Sequence, residues 1–261
     1  MRVTTNDGRR SRLALWVLAA LAFGAANEVR AGDALIAVAT NFADAMPVLE
    51  TAFERRTEHE LRFTTGSTGR LYAQIRKQAP FDVFLAADQR RAQRLIDEGR
   101  AVAGSRFTYA RGRLVLWSRD ADRLGTDGAA TLRESPPRVL ALANPALAPY
   151  GAAGRQTLEA LGLWSELEPR VAMAQNVGQA YAMTATGAAD MGFVPLSALV
   201  SRDRSSAGSH WRVPAKLHEP IRQDAVLLAR AKDNPAARAF VEFLASPTGR
   251  GIIADHGYEM E

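Results

Sequence analysis

Beyond about residue 32 the chain alternates short apolar runs with longer stretches in which apolar residues recur every three or four positions. Strands feeding helices produce that alternation, and it predicts an α/β protein with largely parallel sheets. Residues 35–39 read as a strand. Thr40 and Asn41 follow as capping types, and Phe42, Met46, Leu49 and Phe53 then recur at helical spacing. Residues 61–65 form a second strand, followed by the turn Gly66-Ser67-Thr68-Gly69 and a helix over 70–78. A strand over 81–86 leads into a helix over 88–98 that stops at Gly99, and 113–117 is a further β run.

A second set follows: strand 139–142, loop 144–150, helix 151–161, strand 171–174, loop 176–178, helix 179–186 and strand 191–194. Residues 201–209 are polar and turn-rich, 225–229 are apolar, and helices over 235–244 and 248–255 close the chain. No repeat of solenoid period and no low-complexity tract is present. Two lobes fit this order, the first built from 33–112 and completed by 222–261, the second from 113–221. The crossings near 112 and 222 would form a hinge. A ligand is expected in the cleft between the lobes, where strand C-terminal ends of open α/β sheets meet it.

The first residues are of a different kind. Arg9, Arg10 and Arg12 precede an apolar run of about 14 residues, LALWVLAALAFGAA, too short for a bilayer core that needs roughly 20. Residues 1–31 therefore read as a signal peptide, cleaved after Val29-Arg30-Ala31, and the mature chain is expected in the periplasm. Arg12, where a twin-arginine signal usually has a large apolar residue, favours the general secretory route. The leader also changes the charge argument. It carries five Arg and two acids, leaving 28 basic and 26 acidic residues, so the formal charge of +5 gives no reason to expect nucleic acid as a partner. With no cysteine there is no disulfide, thiolate metal site or thiol nucleophile, and the core alone must hold the fold.

Four turns carry the candidate chemistry: Thr40-Asn41, Gly66-Ser67-Thr68-Gly69, Pro149-Tyr150-Gly151 and Asn176-Val177-Gly178. Each joins a strand or loop to a helix, and none contains Lys, Arg, Asp or Glu. The first N–H groups of a helix lack intrahelical partners and carry partial positive charge, so such ends bind anions. Several converging on one point could hold a dianion without a cationic side chain, each bond to a charged group being worth roughly 1.5–3 kcal/mol. The hydroxyls of Thr40, Ser67, Thr68 and Tyr150 and the amide of Asn41 are further donors. A site rich in donors and poor in carboxylates suits a fully deprotonated anion. Taken singly, each turn is as well explained as a helix cap.

Other residues have plainer readings. Asp82 is read as orienting backbone at the hinge or lobe interface, the alternative being a proton acceptor for an anion such as hydrogen phosphate. His59, His210, His218 and His256 are scattered and show no zinc-binding spacing. Trp117, Trp164 and Trp211 read as core or lobe-surface aromatics, and Arg90, Arg91 and Arg94 as the solvated face of a helix. The turn around Ser67 lacks the spacing of a nucleophile elbow and has no evident histidine partner. A secreted hydrolase using Ser67 remains the alternative from a different class, and a sensor that passes its ligand to a signalling partner is a third.

The runs AVATNFADAMPVLETAFE, TTGSTGRLYAQI and APFDVFLAADQRRAQRLIDEG, then NPALAPYGAAGRQTLEALGLW, NVGQAYAMTATGAADMGFVPLSAL and FVEFLASPTGRGIIADHGYE, closely resemble the periplasmic molybdate-binding proteins of ABC transporters. Motif order and spacing are preserved over nearly the whole mature chain. The resemblance implies a type II periplasmic binding protein fold that closes on its ligand. It implies a non-enzymatic receptor, expected to be a monomer, that captures molybdate, and tungstate with it, for a membrane permease. Sulfate or another tetrahedral oxyanion is the alternative ligand. The family's ligand positions fall on Thr40, Asn41, Ser67, Thr68, Tyr150 and Val177, with Thr68 favoured over Ser67 for the main contact in its turn. No cofactor is implied, and no side chain would coordinate molybdenum directly, because the metal arrives as its oxyanion. Two positions depart from the pattern. Many members have serine where Asn41 stands, and many place a tyrosine in the strand that here reads Gly192-Phe193-Val194-Pro195, which leaves Tyr150 to supply the phenol.

Overall fold

The computed structural model of the protein describes Met1, residues 32–200 and residues 208–260. The leader read over residues 1–31 lies outside the described residues, apart from Met1, and so does most of the polar stretch 201–209.

In chain order the elements are β1 (Asp33–Ala39), a 3-10 turn (Thr40–Phe42), α1 (Met46–Glu54), β2 (Glu60–Gly66), α2 (Thr68–Arg76), β3 (Val83–Leu85), α3 (Gln89–Asp97) and β4 (Phe107–Gly112). The chain then passes at once into β5 (Leu114–Ser118), α4 (Gly128–Glu134), β6 (Leu140–Ala143), α5 (Pro149–Ala160), α6 (Trp164–Leu167), β7 (Val171–Ala174), α7 (Val177–Thr186), β8 (Met191–Pro195), α8 (Ser197–Val200) and β9 (Ser209–Arg212). It returns through β10 (Ile221–Leu227) and ends in α9 (Pro235–Ala245) and α10 (Pro247–Asp255).

These strands form two five-stranded sheets, in the orders β2-β1-β3-β10-β4 and β7-β6-β8-β5-β9. The two repeat one plan. In each, the second strand, β1 or β6, is flanked by two parallel neighbours, and two antiparallel pairings extend the sheet on one side. The protein is thus a two-lobed α/β fold, and the sheets exchange chain at 112–114 and between β9 and β10.

Both faces of each sheet are covered, as parallel pairing demands. Along β1, Ala34, Ile36 and Val38 join one buried cluster with Phe42, Phe53 and Phe240, while Ala37 faces Leu71 and Phe84 on the other side. In β5, Leu114 and Leu116 pack with Phe193 and Trp211, while Val115 and Trp117 pack with Val194. The aliphatic alternation of the sequence therefore maps onto opposite faces, at the period of two residues that a strand imposes.

The short helices α4, α6 and α8 and the strand β9 are not among the elements expected from the sequence, and two further strands are hidden by polar residues in their runs. β4 mixes Thr108, Arg111 and Gly112 into its run, and β10 begins at Ile221, ahead of the apolar stretch 225–229. The register between them shifts at a bulge in β4, which sets the adjacent Tyr109 and Ala110 in one buried cluster, while Gln223 and Asp224 of β10 are both buried because each sheet face is covered.

Candidate functional site

Most helices away from the cleft begin on a side-chain cap. Asp88 accepts the N–H of Arg91 at 2.8 Å, Asp127 that of Ala129 at 2.9 Å, and Asn234 that of Ala236 at 3.0 Å. α2 and α5 begin without one, and so does the turn after β1. Ser67 is a good capping residue at the head of α2, yet its hydroxyl makes no bond there. α7 is capped once, by Asn176 to Gln179 N–H at 3.0 Å. That leaves the N–H groups of Val177 and Gly178, like those of Tyr150 and Gly151 in α5, without partners inside their helices.

These helix starts meet. Thr40, Asn41, Ser67, Thr68, Tyr150 and Val177, the six residues singled out in the sequence, all line one small cavity of about 10 Å³, with Asn176 and the small residues around them. No ionisable acid or base other than the Tyr150 phenol borders it. Residues of both lobes contribute, and the lobes touch around it. The Gly69 N–H donates to Leu147 C=O at 2.8 Å, and the Arg91 guanidinium donates to Ala146 C=O at 2.6 Å.

The atoms at the cavity differ in how far they are already committed. The Thr40 hydroxyl is buried and has no hydrogen-bond partner among the described residues. Such an oxygen costs about 1–3 kcal/mol if left so, and a ligand atom or an ordered water at the cavity would satisfy it. The Thr68 hydroxyl accepts the N–H of Ala87 at 3.2 Å and still has its proton to give, whereas that of Ser67 is uncommitted. Asn41 borders the cavity as well. Both protons of its amide are spent elsewhere, on Gln223 Oε1 at 2.7 Å and Tyr258 Oη at 3.2 Å, so the amide does not turn toward a ligand oxygen as expected. The phenol of Tyr150 accepts from Gln223 Nε2 at 3.3 Å. Burial pushes its ionisation well above the ordinary tyrosine value, so it keeps its proton.

Behind the cavity lies a buried polar network that periodicity did not reveal. Gln223 Oε1 also accepts from Tyr109 at 3.2 Å, and the Tyr258 hydroxyl donates to Asn41 C=O at 2.6 Å. Ser197 Oγ donates to the same carbonyl at 3.2 Å, from the other lobe. The only sequence signal was a Gln-Asp pair ahead of an apolar run.

Other candidates fall away from the cavity. Asp82 stands at the start of β3, the opposite end from the cleft, where it accepts from Leu35 N–H at 2.8 Å and pairs with Arg230. It orients backbone, but within one sheet rather than at the hinge. Arg91 is not on a solvated face: it is buried, paired with Asp88 and bonded across the cleft. Its reach to Ala146, from a helix whose neighbouring Arg90 is exposed, could not be read from charge alone. His59 stacks on Phe53, Trp117 on Tyr181, and no histidine lines the cavity. Among the described residues no group of His, Asp and Glu could hold a metal ion.

A sequence model of the bacterial extracellular solute-binding proteins matches residues 34–259. The chain belongs to that family. Among its relatives, the molybdate-binding protein ModA of Azotobacter vinelandii is 44% identical over 232 residues, covering 89% of this chain and 92% of that protein. ModA of Rhodobacter capsulatus is 40% identical over 242 residues, covering 93% and 94%. The solved structure of the Azotobacter vinelandii periplasmic molybdate-binding protein superposes with a TM-score of 0.83 at 39% identity, over 87% of this chain and 99% of that one. In this chain the partnerless Thr40 hydroxyl and the uncapped starts of α2 and α5 lie where its two lobes meet.

Proposed function

We propose that this solute-binding protein captures molybdate, and tungstate with it, in the cavity between its lobes and delivers it to the permease of an ABC importer. The observation that carries this reading is the buried, partnerless hydroxyl of Thr40 in a cavity bordered by uncapped helix starts and by no Lys, Arg, Asp or Glu. Thr40, Asn41, Ser67, Tyr150 and Val177 would bind oxygens of the anion through backbone N–H groups and hydroxyls, with Thr68 donating its remaining proton. Relatives named for molybdate at 44% and 40% identity support the choice of anion.

The absence of a carboxylate from the lining favours an anion with no proton to give, which argues against hydrogen phosphate. Size separates the rest in part, since molybdate and tungstate are nearly alike and larger than sulfate. A hydrolase reading finds no support, because no histidine or carboxylate lines the cavity beside Ser67. We place the lobes at 33–112 with 222–261 and at 113–221, with export through residues 1–31, a periplasmic location and a monomeric receptor with no nucleic-acid partner. Among the described residues no helix is long and apolar enough to cross a membrane.

Titration calorimetry of the mature chain with molybdate, tungstate, sulfate and phosphate tests the reading. Molybdate and tungstate are expected to bind far more tightly than the other two. Equal affinity for sulfate or phosphate would sink the specific assignment.

A further inference from the structure

Gln223 lies outside the cavity, in a strand that pairs β3 with β4 where the sheets exchange chain. It is wholly buried, and its two amide ends face different halves of the site. Oε1 accepts from Asn41 Nδ2, in the first-lobe turn, at 2.7 Å, while Nε2 donates to Tyr150 Oη, on the second-lobe helix α5, at 3.3 Å. Gly112 completes the arrangement. A Cβ there would stand 1.9 Å from Tyr150 Oη and 2.9 Å from Gln223 Nε2, so only glycine leaves room for the phenol against β4.

We infer that Gln223 is a positioning residue for ligand capture: from the strand at the lobe crossing it fixes Asn41 and Tyr150 relative to each other and so sets the two halves of the site in register. The amide does this because it is donor and acceptor at once. By donating to the Tyr150 oxygen it leaves the phenol proton pointing away from itself. By accepting from Asn41 it holds a residue that borders the cavity. The bulge in β4 at Tyr109 brings that phenol to Gln223 Oε1, while the next residue of β10, Asp224, accepts from Thr108 at 2.8 Å and pairs with Arg106. This inference rests on the anion-binding reading above.

The test uses molybdate as the probe and three variants of the mature chain, Gln223→Leu, Gln223→Glu and Tyr150→Phe, with thermal unfolding recorded for each. Gln223→Leu is expected to lower molybdate affinity about tenfold, and the loss should shrink when made in the Tyr150→Phe background. A protonated glutamic acid can still give and accept as the amide does, whereas its carboxylate cannot give. Burial raises the carboxyl group's ionisation, so Gln223→Glu should bind within about threefold of the natural protein near pH 6 and lose a further tenfold or more by about pH 9, while the natural protein stays level. If Gln223→Leu fails to fold, the pH profile of Gln223→Glu decides. A Gln223→Glu profile parallel to the natural one, or a Gln223→Leu loss undiminished by Tyr150→Phe, overturns the positioning role. Failure of the natural protein to bind molybdate would instead overturn the anion reading.

Discussion

Thr40 carries a prediction in which stability and binding move in opposite directions. Its hydroxyl is buried without a partner, so Thr40→Val, which keeps the shape, should stabilise the ligand-free protein by about 1 kcal/mol and weaken molybdate binding by about tenfold. Thermal unfolding without anion, set beside calorimetry with it, reads both. A decrease in both would mean that the hydroxyl has a structural partner. Asn41→Asp should act through a different route. It replaces an amide that donates to Gln223 and Tyr258 with a carboxylate that can donate to neither, so both stability and anion affinity should fall, the latter through like charge near the cavity as well. Unchanged affinity would place Asn41 outside the site. At this scale the sequence disclosed which residues gather, because small polar types at four helix starts are readable. It did not disclose which atoms are free. That Asn41 spends its amide on Gln223, 182 positions away, and Thr68 its acceptor on Ala87 depends on tertiary contacts with no local signature.

Among the elements, the strands with regular aliphatic alternation and the helices with capping residues were legible, since their burial repeats along the chain. β4 was not, because its inward positions Tyr109 and Ala110 sit among Thr108, Arg111 and Gly112, and its partner β10 follows Ile221 with Arg222, Gln223 and Asp224. Thr108, Gln223 and Asp224 there serve buried hydrogen bonds, whereas Arg222 is exposed. The start of α7 offers a test of how the lobes meet. A Cβ on Gly178 would stand 2.6 Å from the Thr40 Cγ2, a residue of the other lobe, while the backbone there needs no left-handed conformation. Gly178→Ala should therefore leave the ligand-free unfolding temperature nearly unchanged and reduce molybdate affinity at least about tenfold, by holding the lobes apart. A large drop in unfolding temperature with affinity preserved would show that the contact is internal packing instead.

For the molecule as a whole, the fold puts three buried phenols, Tyr109, Tyr150 and Tyr258, at the junction of the lobes, and burial raises the ionisation of all three above the ordinary tyrosine value of about 10. The sign follows from linkage. The unfolded chain releases these protons first as pH rises, so their contribution to stability is complete below about pH 10 and is lost above it, through the folded-state values. Denaturant titrations at about pH 8 and above about pH 10 should show that fall, and it should be shallower in Tyr109→Phe. The two-lobe plan was legible from strand and helix order, and the oxyanion's identity from family resemblance. The closure of uncharged turns on one point needed three dimensions. A second cleft of about 450 Å³ between α3, α5 and β10, lined by Arg90, Arg91 and Arg222 with Asp88 and Glu219, offers an anion the opposite kind of site, a charged one. Anomalous X-ray scattering at the molybdenum edge, from crystals of the mature protein grown with molybdate, decides between them most directly. One strong peak is expected within hydrogen-bonding reach of Thr40, Ser67, Tyr150 and Val177. A peak among Arg90, Arg91 and Arg222 with the neutral cavity empty would contradict it.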